Sequence, residues 1–205
     1  ATSGALDVFQ EVTRCLSVVM LGAKKSYDEA EDEYRAALRA NESFEWAHNS
    51  LGLILMNVRN DVSGAEKEFR RAIELDPSYA WAHNNLGVLL FEAASSASSA
   101  SAASGSSSSS PSWGHGAKRG GELAGAEQHF RRACALDPNL GDAHANLAAL
   151  LNAQAQALEE AGRDPAAAAE KYAEAADHWE VRHGRHNYYS RTARAKAAHL
   201  MGRAG

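Results

Sequence analysis

Apolar residues recur along this chain at helical spacing, in blocks of two alternating kinds. One kind reads EWAHNSLGLILM from Glu45 to Met56, AWAHNNLGVLLF from Ala80 to Phe91 and GDAHANLAALLN from Gly141 to Asn152. The other reads AEKEFRRAIELDP from Ala65 to Pro77 and AEQHFRRACALDP from Ala126 to Pro138. Looser copies of the second kind are AEDEYRAALRANE from Ala30 to Glu42 and AAEKYAEAADHW from Ala168 to Trp179. In each of these a small residue is followed four positions later by an aromatic and three after that by Ala. In the clearest copy they are Ala65, Phe69 and Ala72, which share one face of a helix. The Leu-Gly pairs of the first kind, Leu51-Gly52 and Leu86-Gly87, stand 35 residues apart, and the third copy has Leu147-Ala148.

This alternation predicts pairs of helices. Small residues let two backbones approach closely, and the aromatic fills the space between neighbours. Asp-Pro ends the second helix of a pair, because proline cannot continue an interior turn and disfavours helix at the residue before it. One pair cannot cover its own apolar face, so pairs must stack.

The pattern resembles the tetratricopeptide repeat (TPR), a unit of about 34 residues with two antiparallel helices. The match rests on Leu51, Gly52, Ala65, Phe69, Ala72 and Pro77 in one unit. In the next it rests on Leu86, Gly87, Ala126, Phe130, Ala133 and Pro138. The outer units depart from it, with Glu42 in the place of proline and Ala148 in the place of glycine, as befits repeats that cap a stack. The resemblance implies an all-α fold, a right-handed α-solenoid of about four antiparallel helix pairs plus a C-terminal capping helix. The pairs are expected at about 7–44, 45–79, 80–140 and 141–183, with the capping helix at about 187–202.

The third pair is too long. The surplus is a Ser/Ala/Gly-rich stretch, 94–121, that has almost no large apolar side chains and is expected to be a disordered loop between the two helices of that pair. Its serines suit phosphorylation, and Trp113, Lys118 and Arg119 suit a small docking motif; neutral expansion is the simpler reading. In the fourth pair Gly162 is expected to stop the first helix. Asp164 as N-cap and Pro165 in the first turn start the next, and Gly184 stops it.

In TPR proteins the first helices of successive pairs line a concave groove. By that resemblance the peptide- or partner-binding residues here are Trp46, Asn49, Asn57, Trp81, Asn84, Asn85, Phe91, Asn146 and Asn152. Leu53, Val88, Asp142, Ala145 and Ala149 lie between them. Indoles give contact area at low entropy cost, and amides can pair with a peptide backbone. The AHxNL spelling around His83 and His144 is similar to the superhelical repeats of O-GlcNAc transferases, in which asparagines form a ladder along the groove. The alternative for Asn85 and Asn146 is bonding to neighbouring repeats or water. A chaperone-type carboxylate clamp is not expected, because the comparable positions hold Asn49, Leu53, Asn85, Asp142 and Asn146 rather than cations.

Composition narrows the rest. The 205 residues carry 21 Lys+Arg against 26 Asp+Glu, a formal charge of -5. This mild acidity argues against nucleic acid as the main partner. The basic stretch VRHGRHNYYSRTARAK from Val181 to Lys196 could touch RNA, but reads more simply as a solvated cap. No run of about 18 apolar residues is present, so no membrane span is expected. Cys15 and Cys134 form no metal-type motif and point to a reducing, intracellular compartment, the cytoplasm by default. His48, His83 and His144 share one repeat position and read as architecture. His178, His183 and His186 lack ligand spacing. No metal, cofactor or catalytic residue is expected, and no enzyme: nucleophile elbow, phosphate loop and paired-carboxylate motifs are lacking. The expected function is a protein-protein interaction scaffold or adaptor that takes an extended peptide or partner helix. The chain begins at Ala1 rather than Met, which reads as a processed protein or an excised domain. The recognition arm of a larger enzyme, such as a glycosyltransferase, and a structural subunit of a large assembly therefore stay open as alternatives.

Overall fold

A computed structural model describes the backbone of residues 24–103, 113–185 and 187–204. Among them all regular structure is helical: α1 (Lys24–Ala40), α2 (Glu45–Ile54), α3 (Val62–Leu75), α4 (Ala80–Ala103), α5 (Trp113–Leu136), α6 (Gly141–Glu160), α7 (Pro165–His183) and α8 (Tyr188–Ala204). The expected first pair is described only from its second helix, α1. The stretch before residue 24, with Cys15, lies outside the described residues, as does His186.

The Ala–aromatic–Ala signature is the core of every pair. Ala65, Phe69 and Ala72 of α3 are fully buried, and Ala126, Phe130 and Ala133 of α5 nearly so. The looser copies behave alike: Ala30, Tyr34 and Ala37 on α1, and Ala168, Tyr172 and Ala175 on α7, are all buried. Facing them, the first helices bury Ala47, Leu51 and Ile54 on α2, and Ala143, Leu147 and Leu151 on α6. Each buried aromatic or leucine contributes about 1.5–3 kcal/mol relative to exposure.

Helix ends follow local chemistry. Asp76 and Asp137 each accept a backbone N–H two residues on, from Ser78 at 2.8 Å and Asn139 at 2.9 Å. Asn41 does the same for Ser43 at 2.9 Å. The turn therefore survives in the first pair, where Glu42 stands in the place of proline: the side-chain acceptor builds the turn, and proline only sharpens it. Gly162, with φ +63°, closes α6. Its N–H donates to the Glu159 carbonyl and that of Arg163 to the Leu158 carbonyl, both at 3.0 Å, the paired bonds of a Schellman motif. Asp164 then caps α7, accepting from the Ala167 N–H at 3.0 Å. Gly184, with φ +80°, ends α7.

α2 does not stop as a plain α-helix. It continues as a π-helical turn, Leu55–Arg59, closed by Asn60 in the left-handed conformation. The turn places Arg59 against α1, where it bonds Asp28 and Glu31, and Arg35 grips the same Glu31.

The expected loop over 94–121 is shorter than the composition implied. α4 runs on to Ala103 and α5 starts at Trp113, so only residues 104–112 lie outside the described ones. Ala is the best helix former and Ser an ordinary one, and extending an existing helix costs far less than nucleating a new one.

The chain divides into two compact units, Ala1–Leu89 and Leu90–Gly205. In the second, α6, α7 and α8 pack in sequence. Ala197 and Leu200 of α8 join Ala155, Ala168, Ala169 and Tyr172 in one buried cluster, so α8 covers the last apolar face. Asn187 fixes its start: its Oδ1 accepts from the Ser190 N–H and its Nδ2 donates to the carbonyls of Trp179 and Gly184.

Candidate functional site

The first helices of the repeats carry three kinds of side chain at the expected positions, and the structure uses each differently. The histidines are ties. His48 Nδ1 meets Glu68 of α3 at 2.6 Å while its Nε2 meets the Glu42 carbonyl at 3.2 Å. His83 Nε2 meets the Pro77 carbonyl at 3.3 Å. Each ring thus braces the turn six residues before it.

The asparagines are mostly inside. Asn85 Nδ2 donates to Asn49 Oδ1 at 2.9 Å across two repeats, and Asn84 Nδ2 donates to Asn85 Oδ1 at 3.3 Å. Asn49 also bonds the Tyr79 hydroxyl, whose acidity is lowered chiefly by burial. Asn49, Asn84 and Asn85 are all buried. Their amides hold repeat to repeat in the first unit. The ladder position of the preceding repeat, Ser50, donates to the Trp46 carbonyl at 2.8 Å instead.

The indoles look outward. Trp81 is 45 % exposed. Trp46, one repeat earlier at the same position, is half-buried and packs on Phe44 with ring centroids 5.2 Å apart. Asn57 is exposed on the π-helical turn. In the second unit Asn146 and Asn152 are half-buried on α6.

Phe91 stands apart from the other predicted residues. It lines a cleft of about 790 Å³ within the second unit, walled by Ala94, Leu123, Leu150 and Leu158. Arg163 and Lys171 also line it, and the Lys171 ammonium donates to Gln154 Oε1 at 2.6 Å. The sequence reading did not contain this cleft, because Leu123 and Lys171 come from second helices. It also missed a meeting of Cys134, His144 and His178, three side chains on three helices whose ligand atoms lie within 4.8 Å of one another. No spacing along the chain signals that cluster.

A family model described as TPR repeat matches residues 59–93. Residues 59–93 therefore carry a tetratricopeptide repeat. Solved structures agree on the fold. A mutant O-GlcNAc transferase of Thermobaculum terrenum has a TM-score of 0.58 and 21% identity, over 86% of this chain and 27% of that one. The chain therefore spans about a quarter of that enzyme's length. A double mutant of MamA has a TM-score of 0.54 and 16% identity, over 98% of this chain and 97% of that one. A thermophilic TPR protein of Thermus thermophilus has a TM-score of 0.54 and 14% identity, over 95% of this chain and 98% of that one. A comparison with curated proteins finds no match. Among the described residues no helix is long and apolar enough to cross a membrane.

Proposed function

We propose that the protein is a non-catalytic scaffold that binds an extended peptide or a partner helix on the first-helix face of its repeats. The observation that carries this reading is the exposed indole of Trp81, one repeat after the half-buried indole of Trp46. A large exposed aromatic at a repeated position is the kind of anchor that dominates binding at interfaces. The role of the amides divides. Asn57 and Asn152 can offer hydrogen bonds to a partner. Asn49, Asn84 and Asn85 act behind the surface, holding the indole-bearing helices in register. In the second unit Asn146 and Phe91 are the corresponding candidates.

The test is affinity purification with the wild type and a Trp46→Ala/Trp81→Ala double variant, helicity being checked by circular dichroism. Partners lost at unchanged helicity support the reading; partners retained by the double variant overturn it.

A second reading has one observation in its favour: a transferase carries this fold over 27% of its own length. On that reading the array is the recognition arm of a larger enzyme, and the same face would bind the enzyme's protein substrate.

A further inference from the structure

Cys134 on α5, His144 on α6 and His178 on α7 lie far apart in sequence and meet in the second unit. Cys134 Sγ and one ring nitrogen from each histidine all lie within 4.8 Å of one another. The Nδ1 atoms of the two imidazoles face each other at 2.8 Å, with ring centroids 5.0 Å apart. His144 is buried, while Cys134 and His178 are half-buried, so the cluster is only partly closed to solvent.

The pairing is unusual for this repeat position. At the equivalent place His48 sets its Nδ1 against the carboxylate of Glu68 and its Nε2 against a turn carbonyl. His144 lies beside the matching carbonyl, that of Pro138. Yet among the described residues its Nε2 is buried with no hydrogen-bond partner. A neutral imidazole has one N–H and one lone pair. If His144 gives its proton to His178, its Nε2 becomes a lone pair turned towards a carbonyl. If His144 instead keeps the proton on Nε2, as the other repeats require, its bare Nδ1 accepts the Nδ1 proton of His178, and His178 Nε2 is left as a lone pair 3.9 Å from the Glu174 carboxylate. A cation between the two Nδ1 atoms resolves both demands. It uses both lone pairs and fixes both protons on Nε2, where His144 faces Pro138. His178 Nε2 then carries its proton towards Glu174 Oε1, 3.9 Å away and beyond hydrogen-bond distance, where it no longer sets a lone pair against the carboxylate.

We propose that Cys134, His144 and His178 bind a divalent transition-metal ion of the zinc type, with a fourth position left to water or to a partner's side chain. One thiolate and two imidazoles are a ligand set that suits zinc. With metal–nitrogen bonds of about 2.0–2.1 Å, two nitrogens of a tetrahedral site stand about 3.4 Å apart, so the rings must part by about half an ångström. Metal binding would take Cys134 as the thiolate and release its proton to solvent. The nearby cation, Arg131, is already bonded to Glu127 at 3.0 Å and Glu174 at 2.5 Å, so its charge is balanced. The bound ion would clip α5, α6 and α7 together.

The test is titration of the chelator-treated full chain with Co²⁺ alone. The expected result is stoichiometric binding with a sulfur-to-cobalt charge-transfer band and the visible bands of a tetrahedral ion, displaced by Zn²⁺. Cys134→Ser should remove the charge-transfer band, Cys15→Ser should keep it, and His178→Gln should weaken binding at least about tenfold. His183→Gln, on the same helix, should bind as the wild type does. Circular dichroism separates loss of a ligand from loss of the fold. Absence of the band in the wild type, or its persistence in Cys134→Ser, overturns the proposal.

Discussion

The ring of Phe69 lies against the α-carbon of Gly52: a β-carbon built on Gly52 would stand 2.6 Å from Phe69 Cε1 and 2.8 Å from Cδ1. Phe69 is fully buried and has nowhere to turn. Gly52→Ala therefore sets two effects against each other. Alanine favours helix over glycine by about 1 kcal/mol, while overpacking a tight core costs about 1–3 kcal/mol. The clash is expected to win, with a lower midpoint in thermal unfolding followed by circular dichroism. Phe69→Leu should relieve it, so the two substitutions together should cost less than the sum of their separate effects. Additive costs would show that the ring does not set the requirement for glycine.

Asn85→Ala should destabilise the protein by about 1–3 kcal/mol, because it leaves the buried Asn49 acceptor and the Asn84 donor without that partner. Trp81→Ala should cost less than that, since nearly half of the residue is exposed. Denaturant unfolding of the two variants checks the contrast. Equal losses would mean that Trp81 is part of the core rather than of a binding face.

Acid should weaken the tie between α1 and the π-helical turn. Burial pushes the Glu31 carboxyl up, but the hydrogen bonds and charges of Arg35 and Arg59 together hold it below its ordinary value of 4.5. A carboxyl depressed in the folded state adds stability that is fully present above 4.5 and is lost as the pH falls through the lower, folded value. Midpoints measured from neutral pH downwards should fall more steeply in the wild type than in Glu31→Gln. Parallel curves would remove Glu31 from the account of acid sensitivity.

The junction of α6 and α7 should respond to single backbone-directed changes. Asp164→Ala removes the side-chain bond to the Ala167 N–H and should cost about 0.5–2 kcal/mol. Gly162→Ala meets no neighbour within 4 Å, yet its φ of +63° places a β-carbon in the left-handed region, at a cost of about 1 kcal/mol. Thermal unfolding of each variant gives the comparison. A neutral Gly162→Ala would mean that the turn can relax out of the Schellman geometry.

The helix pairs, the buried Ala–aromatic–Ala faces and the stops at Gly162 and Gly184 were legible along the chain. Each depends on neighbours within a few residues: a helical period, a capping carboxylate, a positive φ. The length of the Ser/Ala-rich loop was less legible. Low complexity tells of a missing core, but it does not tell how far an established helix can propagate into alanine and serine.

What the sequence by itself determined is the repeat: which residues are small, which are aromatic and where each helix must end, because those requirements are local and recur about every 34 residues. What only the tertiary structure decided is what the repeated polar positions do. His48 and His144 occupy one repeat position, yet one meets the carboxylate of Glu68 and the other the imidazole of His178. Asn85 reads along the chain either as a groove amide or as a tie to a neighbouring repeat, until Asn49 of the preceding repeat is found at 2.9 Å. A polar side chain takes its role from the partner that packing brings to it. That partner lies 20 to 36 residues away in these three pairs, beyond the reach of any local pattern.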